Sequence, residues 1–319
     1  MENYAKNILL GMAVGDALGV PVEFMSRESL QQNPVIDMMG NGVHMQPKGT
    51  WSDDSSLAFC LAESLCEKGL DIEDMGQKIV AWYTENYWTP HGEVFDIGVR
   101  TKQAIDRMMM LMKEDKPIEP IPKNETRRSD NGNGSLMRML PLVLSLHGKP
   151  LLMRYQIVDE VSSLTHAHSV TIMACFAYTE LALQIIEGID KMTAYYNVQK
   201  ICIEQFGKNP EYRYIKRFCE TDISTLSIEE IKSTGYVIDS LEASIWCFLK
   251  HDNYANTVLE AVNLGSDTDT TACIAGGLAG LLYGHEAIPV SWVESLARLQ
   301  DILNLAERLQ QYYLRRMAK

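Results

Sequence analysis

The stretch from residue 266 to residue 281, SDTDTTACIAGGLAGL, constrains the fold of this chain more than any other. Asp267, Asp269 and Thr270 stand at its beginning, and the apolar, glycine-rich run behind them predicts a helix that is buried on nearly every side. Uncompensated carboxylates inside a protein cost several kcal/mol, so buried acids are paired, protonated or bound to metal. The start of this helix therefore needs a partner from elsewhere in the chain.

A second acidic cluster, Ser52-Asp53-Asp54, precedes the apolar run LAFCLAESLCEKG and predicts another helix start. Ser52 is a good N-cap, and acids in a first turn gain about 0.3 to 1 kcal/mol from the helix dipole, so capping alone explains one aspartate. Two adjacent acids among hydroxyls exceed what capping needs. All candidate ligands in both clusters are oxygens, which favours Mg²⁺, Mn²⁺ or Ca²⁺ over zinc. If the clusters meet, they can hold two divalent ions.

Two other interpretations of residues 267–271 fail or are weak. A calcium-binding EF-hand loop needs Gly and Glu at its sixth and twelfth positions, where this chain has Ala272 and Leu278. The string also fits the DxDxT nucleophile motif of haloacid-dehalogenase-type phosphatases. That motif must follow a buried parallel strand, whereas this one follows a helical segment.

Helical periodicity runs through nearly the whole chain, and no alternating strand longer than four residues is evident, which predicts one all-α domain over residues 1–319. Gly11, Gly15 and Gly19 form a ladder that lets another backbone approach closely, although packing alone also explains it. Residues 31–50 and 114–134 read as loops. The predicted helices are 5–19, 52–69, 72–87, 98–113, 150–163, 168–188, 192–206, 227–250, 256–264, 266–281 and 291–316.

The net charge of −13 argues against a nucleic-acid surface, because phosphate binding needs clustered Lys and Arg. The seven cysteines show no CxxC pair and no zinc spacing, which is typical of reduced core thiols in a cytoplasmic protein. The apolar N-terminal run is short and closed by Asp16, so we read it as a helix of the mature protein. No segment reaches the roughly 18 apolar residues expected of a membrane span.

Three further segments carry candidate functional residues. Glu23 follows a helix C-terminus, where the dipole disfavours an anion, so taken alone it reads as solvent-exposed. Residues 130–135, DNGNGS, run into LMRMLPLVLSL, and a Gly/Asn turn that opens onto a helix presents free N–H groups to phosphate, although an ordinary turn fits equally. His166 and His168 cannot share a helix face, so one of the two is expected to be structural.

Several motifs, in order and over residues 6–284, give the chain a specific resemblance. They are GDALGVPVE (15–23), WSDDS (51–55), DIG (96–98), NGSLMR (133–138), TH (165–166) and NLGSDTDT (263–270). With them the chain resembles the ADP-ribosylglycohydrolase family, which includes dinitrogenase-reductase-activating glycohydrolases and ADP-ribosyl-arginine and ADP-ribosyl-serine hydrolases. The resemblance implies a compact all-α orthogonal bundle with two Mg²⁺, or Mn²⁺, between the two helix starts.

The resemblance also implies roles for individual residues. Ser52 stands where the family usually has Thr but keeps the hydroxyl. Glu23 matches a glutamate on a mobile loop of the family that has a gating or catalytic role. Tyr236 matches an aromatic residue that stacks on adenine. The implied metal ligands are Ser52, Asp53, Asp54, Asp267, Asp269 and Thr270, and the implied catalytic acids are Glu23, Asp53, Asp54 and Asp269. The implied substrate contacts are Asn131, Gly132, Asn133, Gly134, Ser135, Met137, His166 and Tyr236.

The activity implied is metal-assisted hydrolysis at C1 of an ADP-ribosyl group, with an Asp or Glu as general base or acid. The partner is then ADP-ribose, an ADP-ribosylated protein or a small ADP-ribosyl conjugate. The alternative is a non-catalytic member of the same fold, which binds ADP-ribose or has a structural, crystallin-like part. All six ligand positions carry oxygen side chains, which favours the enzyme. The motifs identify neither the acceptor nor the oligomeric state.

Overall fold

The computed structural model describes residues 2–127 and 129–318, and in this part of the chain every regular element is a helix. The predicted all-α class is confirmed. The fifteen α-helices among the described residues are α1 (Tyr4–Gly19), α2 (Arg27–Gln32), α3 (Asp53–Glu67), α4 (Ile72–Glu85), α5 (Val99–Lys113), α6 (Val143–Leu146), α7 (Leu151–Ser163), α8 (Ser169–Ile186), α9 (Lys191–Phe206), α10 (Tyr212–Glu220), α11 (Val237–Lys250), α12 (Tyr254–Asn263), α13 (Thr268–Tyr283), α14 (Val290–Ser295) and α15 (Leu299–Met317).

The close packing of α1 against α13 organises the core. A Cβ added to Gly15 would lie 2.1 Å from the carbonyl oxygen of Ala272, and one added to Gly19 would lie 2.3 Å from Cα of Asp269. Real side chains cannot occupy such positions, so the two backbones touch directly. The predicted role of the glycine ladder is confirmed, and the contact brings the C-terminal end of α1 against the acidic start of α13.

Two helical segments, residues 4–22 and 169–186, are long and apolar enough to cross a membrane by length and composition. The expectation that no segment reaches that length is therefore wrong. Both are 94% buried inside the fold, as core helices are. Buried residues occupy nearly all of α1, α8 and α13, which explains why these helices lack a polar face. The seven cysteines are free, and six of them are buried.

Several predicted helix boundaries are wrong. The helix expected over 227–250 begins at Val237, because residues 228–230 form a separate 3₁₀ turn held by a capping box between Ser227 and Glu230. The last helix is interrupted at Arg298, which has a left-handed φ of 53° between α14 and α15. α10 was not predicted at all, although its sequence YRYIKRFCE buries Ile215 and Phe218 on one face.

The segment after residue 135 also differs from the prediction of a helix. Residues 133–138 form turns, and helical structure begins only with a 3₁₀ turn, Leu140–Leu142, followed by the one-turn α6. Pro141 lacks the N–H that a continuing helix would use, which accounts for the break. The turn at residues 131–135 therefore does not stand at the N-terminus of a long helix.

Candidate active site

A cleft of about 390 Å³ opens where the starts of α3, α5 and α13 meet the turns at residues 23–24 and 132–137. Five of the eight predicted substrate contacts line it, namely Gly132, Asn133, Gly134, Met137 and His166, while Asn131, Ser135 and Tyr236 do not. Of the predicted acids, Glu23, Asp53 and Asp267 line the cleft, together with Thr270. Asp54 and Asp269 are buried, with 1% and 0% of their surface exposed.

The two acidic clusters meet in space, as the family resemblance implied. The Thr270 hydroxyl donates to Asp54 Oδ2 over 3.2 Å, which joins the first turn of α13 to that of α3. Carboxylate oxygens of Asp16, Asp54 and Asp269 lie within 4.8 Å of one another, and so do those of Glu23, Asp267 and Asp269. This spacing lies inside the limit of roughly 8 Å beyond which carboxylates cannot share metal ions bound at 2.0 to 2.6 Å.

Asp16, to which no role had been given, fixes the start of α3. Its buried carboxylate accepts hydrogen bonds from the N–H of Ser52 at 2.9 Å and from the N–H and hydroxyl of Ser55 at 3.0 and 2.6 Å. Ser52 in turn caps the helix by accepting from the N–H of Asp54. The only sequence signal was the place of Asp16 in the motif GDALG, because the groups it binds lie 36 to 39 residues away.

The turn before α13 holds the Glu23 segment in place. Ser266 and Gly265 have left-handed φ values of 64° and 76°, and the backbone of Ser266 exchanges hydrogen bonds with Phe24 at 2.7 Å and Met25 at 2.8 Å. A side chain at position 265 would lie 2.6 Å from the N atom of Arg27. The backbone contacts of the residues that follow Glu23 therefore hold it beside Asp267 and Asp269.

The expectation that Glu23, judged alone, is solvent-exposed is wrong, because only 5% of its surface is exposed. His44, on the loop at residues 33–50, contacts it through an Nε2–Oε2 distance of 2.5 Å. Burial raises the pKa of Glu23 to about 10, with Asp96 as the largest charge contribution. Asp96, which also lines the cleft, has a left-handed φ of 49°, and burial raises its pKa as well.

The buried carboxylates are not satisfied by the protein alone. Asp54 Oδ1 and Asp269 Oδ2 are buried and have no hydrogen-bond partner among the described residues. Burial raises the pKa of both, and the neighbouring acids raise it further. Asp267 is better supported, since it accepts from Asn133 Nδ2 at 2.7 Å. Unpaired buried oxygens among clustered acids fit hard divalent cations.

The opposite wall of the cleft is formed by the glycine-rich turn and His166. A Cβ on Gly134 would lie 2.7 Å from His166 Cε1, so this wall admits no side chain at that position. His166 pairs with the Thr165 hydroxyl at 2.8 Å, and burial lowers its pKa to about 3, which keeps the ring neutral. His168 caps α8 by accepting from the Val170 N–H, so the expectation of one structural histidine is confirmed.

Three of the residues predicted to bind substrate, Asn131, Ser135 and Tyr236, do not line the cleft and interact with other parts of the protein. Ser135 is buried and its hydroxyl lies 2.9 Å from that of Ser162. Asn131 and Tyr236 lie in the paired backbone that joins residues 131–133 to the start of α11, where the Val237 N–H donates to the Asn131 carbonyl. The Ser135 side chain and the backbone of Asn131 and Tyr236 therefore support the wall of the cleft.

Comparisons with known proteins agree with this geometry. Residues 2–318 match the family model described as ADP-ribosylglycohydrolase. The ADP-ribosylarginine hydrolase Tri1 of Serratia proteamaculans (strain 568) is 34% identical over 308 residues, which cover 96% of this chain and 78% of that protein. The ADP-ribosyl-(dinitrogen reductase) glycohydrolase of Rhodospirillum rubrum is 28% identical over 299 residues, with 93% and 91% covered. A solved structure described as an ADP-ribosylglycohydrolase-related protein complex superposes with a TM-score of 0.79 at 29% identity and covers 98% of this chain and 99% of its own.

Proposed function

The chain belongs to the ADP-ribosylglycohydrolase family and is a hydrolase that removes ADP-ribose from modified acceptors, and we propose that it acts on ADP-ribosyl-arginine with the help of two divalent cations, Mg²⁺ or Mn²⁺. The observation that carries the metal proposal is the pair of buried oxygens, Asp54 Oδ1 and Asp269 Oδ2, that have no hydrogen-bond partner within the part of the chain that the structure describes. Buried oxygens without a partner lower the stability of a protein, and a ligand bound between these two carboxylates would explain why they are present.

The cations would be held by the oxygens at the starts of α3 and α13. Ser52, Asp53 and Asp54 come from the first helix start, and Asp267, Asp269 and Thr270 come from the second. The donors are oxygens, as Mg²⁺ and Mn²⁺ prefer. Asp16 is proposed to orient this set through its hydrogen bonds to Ser52 and Ser55, since outer partners of this kind fix the direction of a ligand.

When bound, the cations supply Lewis-acid chemistry and neutralise part of the acidic cluster. The residues of the chain do the proton transfers. Carboxylate oxygens of Glu23 and Asp96, with the His44 ring, lie within 4.8 Å of one another, and two acids so close favour one protonated and one ionised member. The protonated carboxyl would donate to the leaving nitrogen as its bond to C1 breaks. An ionised carboxylate would take a proton from the water that attacks C1.

The proposal of arginine as acceptor is supported by the names of two relatives and by the mouth of the cleft. Relatives in Serratia and in Pseudomonas putida, the latter 32% identical over 307 residues, are ADP-ribosylarginine hydrolases. Phe24 is 67% exposed at the rim, next to Glu23. A guanidinium group stacks on aromatic rings and forms ion pairs with carboxylates, whereas an O-linked serine offers neither a cation nor a planar group.

The test is release of ADP-ribose from ADP-ribosyl-arginine and from ADP-ribosyl-serine peptides, with Mg²⁺ and with EDTA. We expect turnover of the arginine conjugate that EDTA abolishes and that Asp269→Ala lowers at least a hundredfold. Asp252→Ala is the matched control, because that aspartate is 94% exposed and lies outside the cleft. Faster turnover of the serine conjugate than of the arginine conjugate would contradict the proposal that arginine is the acceptor. Full activity in EDTA would contradict the proposed metal requirement.

A further inference from the structure

Arg100, on the second position of α5, is a cleft residue to which none of the roles above has been given. Among the described residues that line the cleft it is the only lysine or arginine, whereas Glu23, Asp53, Asp96 and Asp267 are acids. In a protein with a net charge of −13, an anionic ligand entering such a cleft is repelled unless a cation faces it. The sequence motifs gave no reason to single this residue out.

The guanidinium of Arg100 lies near one carboxylate, but not all of its N–H groups have a hydrogen-bond acceptor among the described residues. Its side chain is 21% exposed, and Nη1 lies 3.4 Å from Asp130 Oδ2, beyond the usual length of a charge-assisted hydrogen bond. Its Nε is buried and has no hydrogen-bond partner among the described residues. Buried donors are normally paired, so an unpaired guanidinium nitrogen in a cleft wall indicates a group that a ligand completes.

The backbone beside Arg100 is not covered by side chains. A Cβ on Gly134 would lie 3.0 Å from the Thr101 hydroxyl, so the glycine backbone itself forms the surface at this point. Gly98 caps α5 without a side-chain hydrogen bond, which leaves the first N–H groups of that helix to a ligand. Arg100 and His166 both line this cleft.

We propose that Arg100 is the residue that selects pyrophosphate-bearing ligands, binding the pyrophosphate of the ADP-ribosyl group while the distal ribose lies against the acids. The planar guanidinium can donate two parallel hydrogen bonds to phosphate oxygens, which a lysine cannot do. Asp130 orients the guanidinium in the free protein. This inference rests on the proposed function only for the identity of the ligand, and it requires no turnover.

The test is calorimetric binding of ADP-ribose to the full chain in Mg²⁺ buffer. Arg100→Gln should weaken binding about 10- to 100-fold, since charge-assisted hydrogen bonds are lost. Arg100→Lys should recover part of this loss, because it keeps the charge but not the fork. Arg107→Gln is the matched control, because it removes the same charge from the same helix at a residue that bonds the Glu119 carbonyl outside the cleft. In turnover, Arg100→Gln should raise KM with little change in kcat.

Two results would overturn the proposal: binding by Arg100→Gln within about twofold of the unchanged protein, or an equal loss in Arg107→Gln. Salt gives an independent measure if Arg100→Gln is poorly stable, because Arg100→Lys keeps the positive charge and its binding of ADP-ribose should weaken with added salt as much as that of the unchanged protein. If the protein binds ADP-ribose through Arg100 but hydrolyses no conjugate, the proposed activity fails and this inference stands. If the protein hydrolyses ADP-ribosyl-arginine and Arg100→Gln binds ADP-ribose as tightly as the unchanged protein, the proposed activity stands and the inference about Arg100 fails.

Discussion

Replacing Asp269 by asparagine should stabilise the metal-free protein and remove most of its response to magnesium. Asp269 is fully buried, and its Oδ2 has no hydrogen-bond partner among the described residues. Asparagine has nearly the same shape and can keep the one hydrogen bond that Oδ1 accepts, from the Thr270 N–H at 2.9 Å. The substitution therefore removes charge while leaving the local packing in place.

The size of the effect follows from the carboxylate spacing. Oxygens of Asp16, Asp54 and Asp269 lie within 4.8 Å of one another, and two unit charges at that distance repel by about 3.5 kcal/mol at an effective dielectric constant of about 20. Protonation relieves part of this repulsion, so the expected gain in the free energy of unfolding is about 1 to 3 kcal/mol. At roughly 2 to 4 °C per kcal/mol for a large domain, Tm should rise by about 2 to 12 °C.

The gain should depend on pH in a definite direction. Burial, followed by the charges of neighbouring acids, raises the pKa of Asp54 and Asp269 well above the usual aspartate value. Between the unfolded pKa, near 4, and the raised folded pKa, the folded chain binds more protons than the unfolded chain. The stability of the metal-free protein therefore falls as pH rises through that window. Asp269→Asn should flatten this fall, so its advantage is larger at pH 8 than at pH 5.5.

The assay is thermal unfolding followed by circular dichroism, in EDTA and in Mg²⁺, at both pH values. The unchanged protein should gain stability from Mg²⁺ at pH 8, and Asp269→Asn should gain little. The reasoning is refuted if the metal-free variant is less stable than the unchanged protein at pH 8, or if Mg²⁺ stabilises both equally.

Three further substitutions test other parts of the structure. Gly15→Ala, whose Cβ would lie 2.1 Å from a carbonyl oxygen of α13, should lower the free energy of unfolding in urea by about 3 kcal/mol or abolish folding, and a neutral result would contradict the backbone contact. Arg154→Leu should cost about 3 to 5 kcal/mol in the same assay, because it leaves Glu180, with 2% of its side chain exposed, without its bidentate partner, whereas leucine at both positions should restore most of the loss. Gly134→Ala should lower Tm and weaken ADP-ribose binding at least tenfold, since the new methyl would lie 2.7 Å from the buried His166 ring and displace it, and unchanged binding by the folded variant would place the ligand elsewhere.

The parts of the site that sequence predicts well are those set by local chemistry. Asp267 and Asp269 at one apolar run, and Asp53 and Asp54 at another, mark helix starts that can be recognised within a few residues. The resemblance to a family then supplied the pairing of the two helix starts, which no local rule contains. Glycines at four-residue intervals predicted a close backbone contact in the same local way, without naming its partner.

The parts that sequence reasoning missed depend on contacts distant in the chain. The burial of Glu23 depends on the loop that carries His44 and on the turn before α13, so its helix-end position was misleading. Asp16 looked like the end of an apolar run because its hydrogen-bond donors belong to another helix. Residues 136–146 carry a helix-like apolar pattern, but Pro141 lies within it, and the helical structure there is limited to a 3₁₀ turn and the one-turn α6.

The most direct test of the central claim, that the starts of α3 and α13 form one divalent-cation site, is the number of Mg²⁺ ions bound by EDTA-treated protein in isothermal titration calorimetry. The account predicts two ions per chain, with Asp54→Asn and Asp269→Asn each losing at least one and the exposed-site variant Asp252→Ala losing none. No Mg²⁺ binding, or the same stoichiometry and affinity in Asp54→Asn and Asp269→Asn as in the unchanged protein, would contradict it.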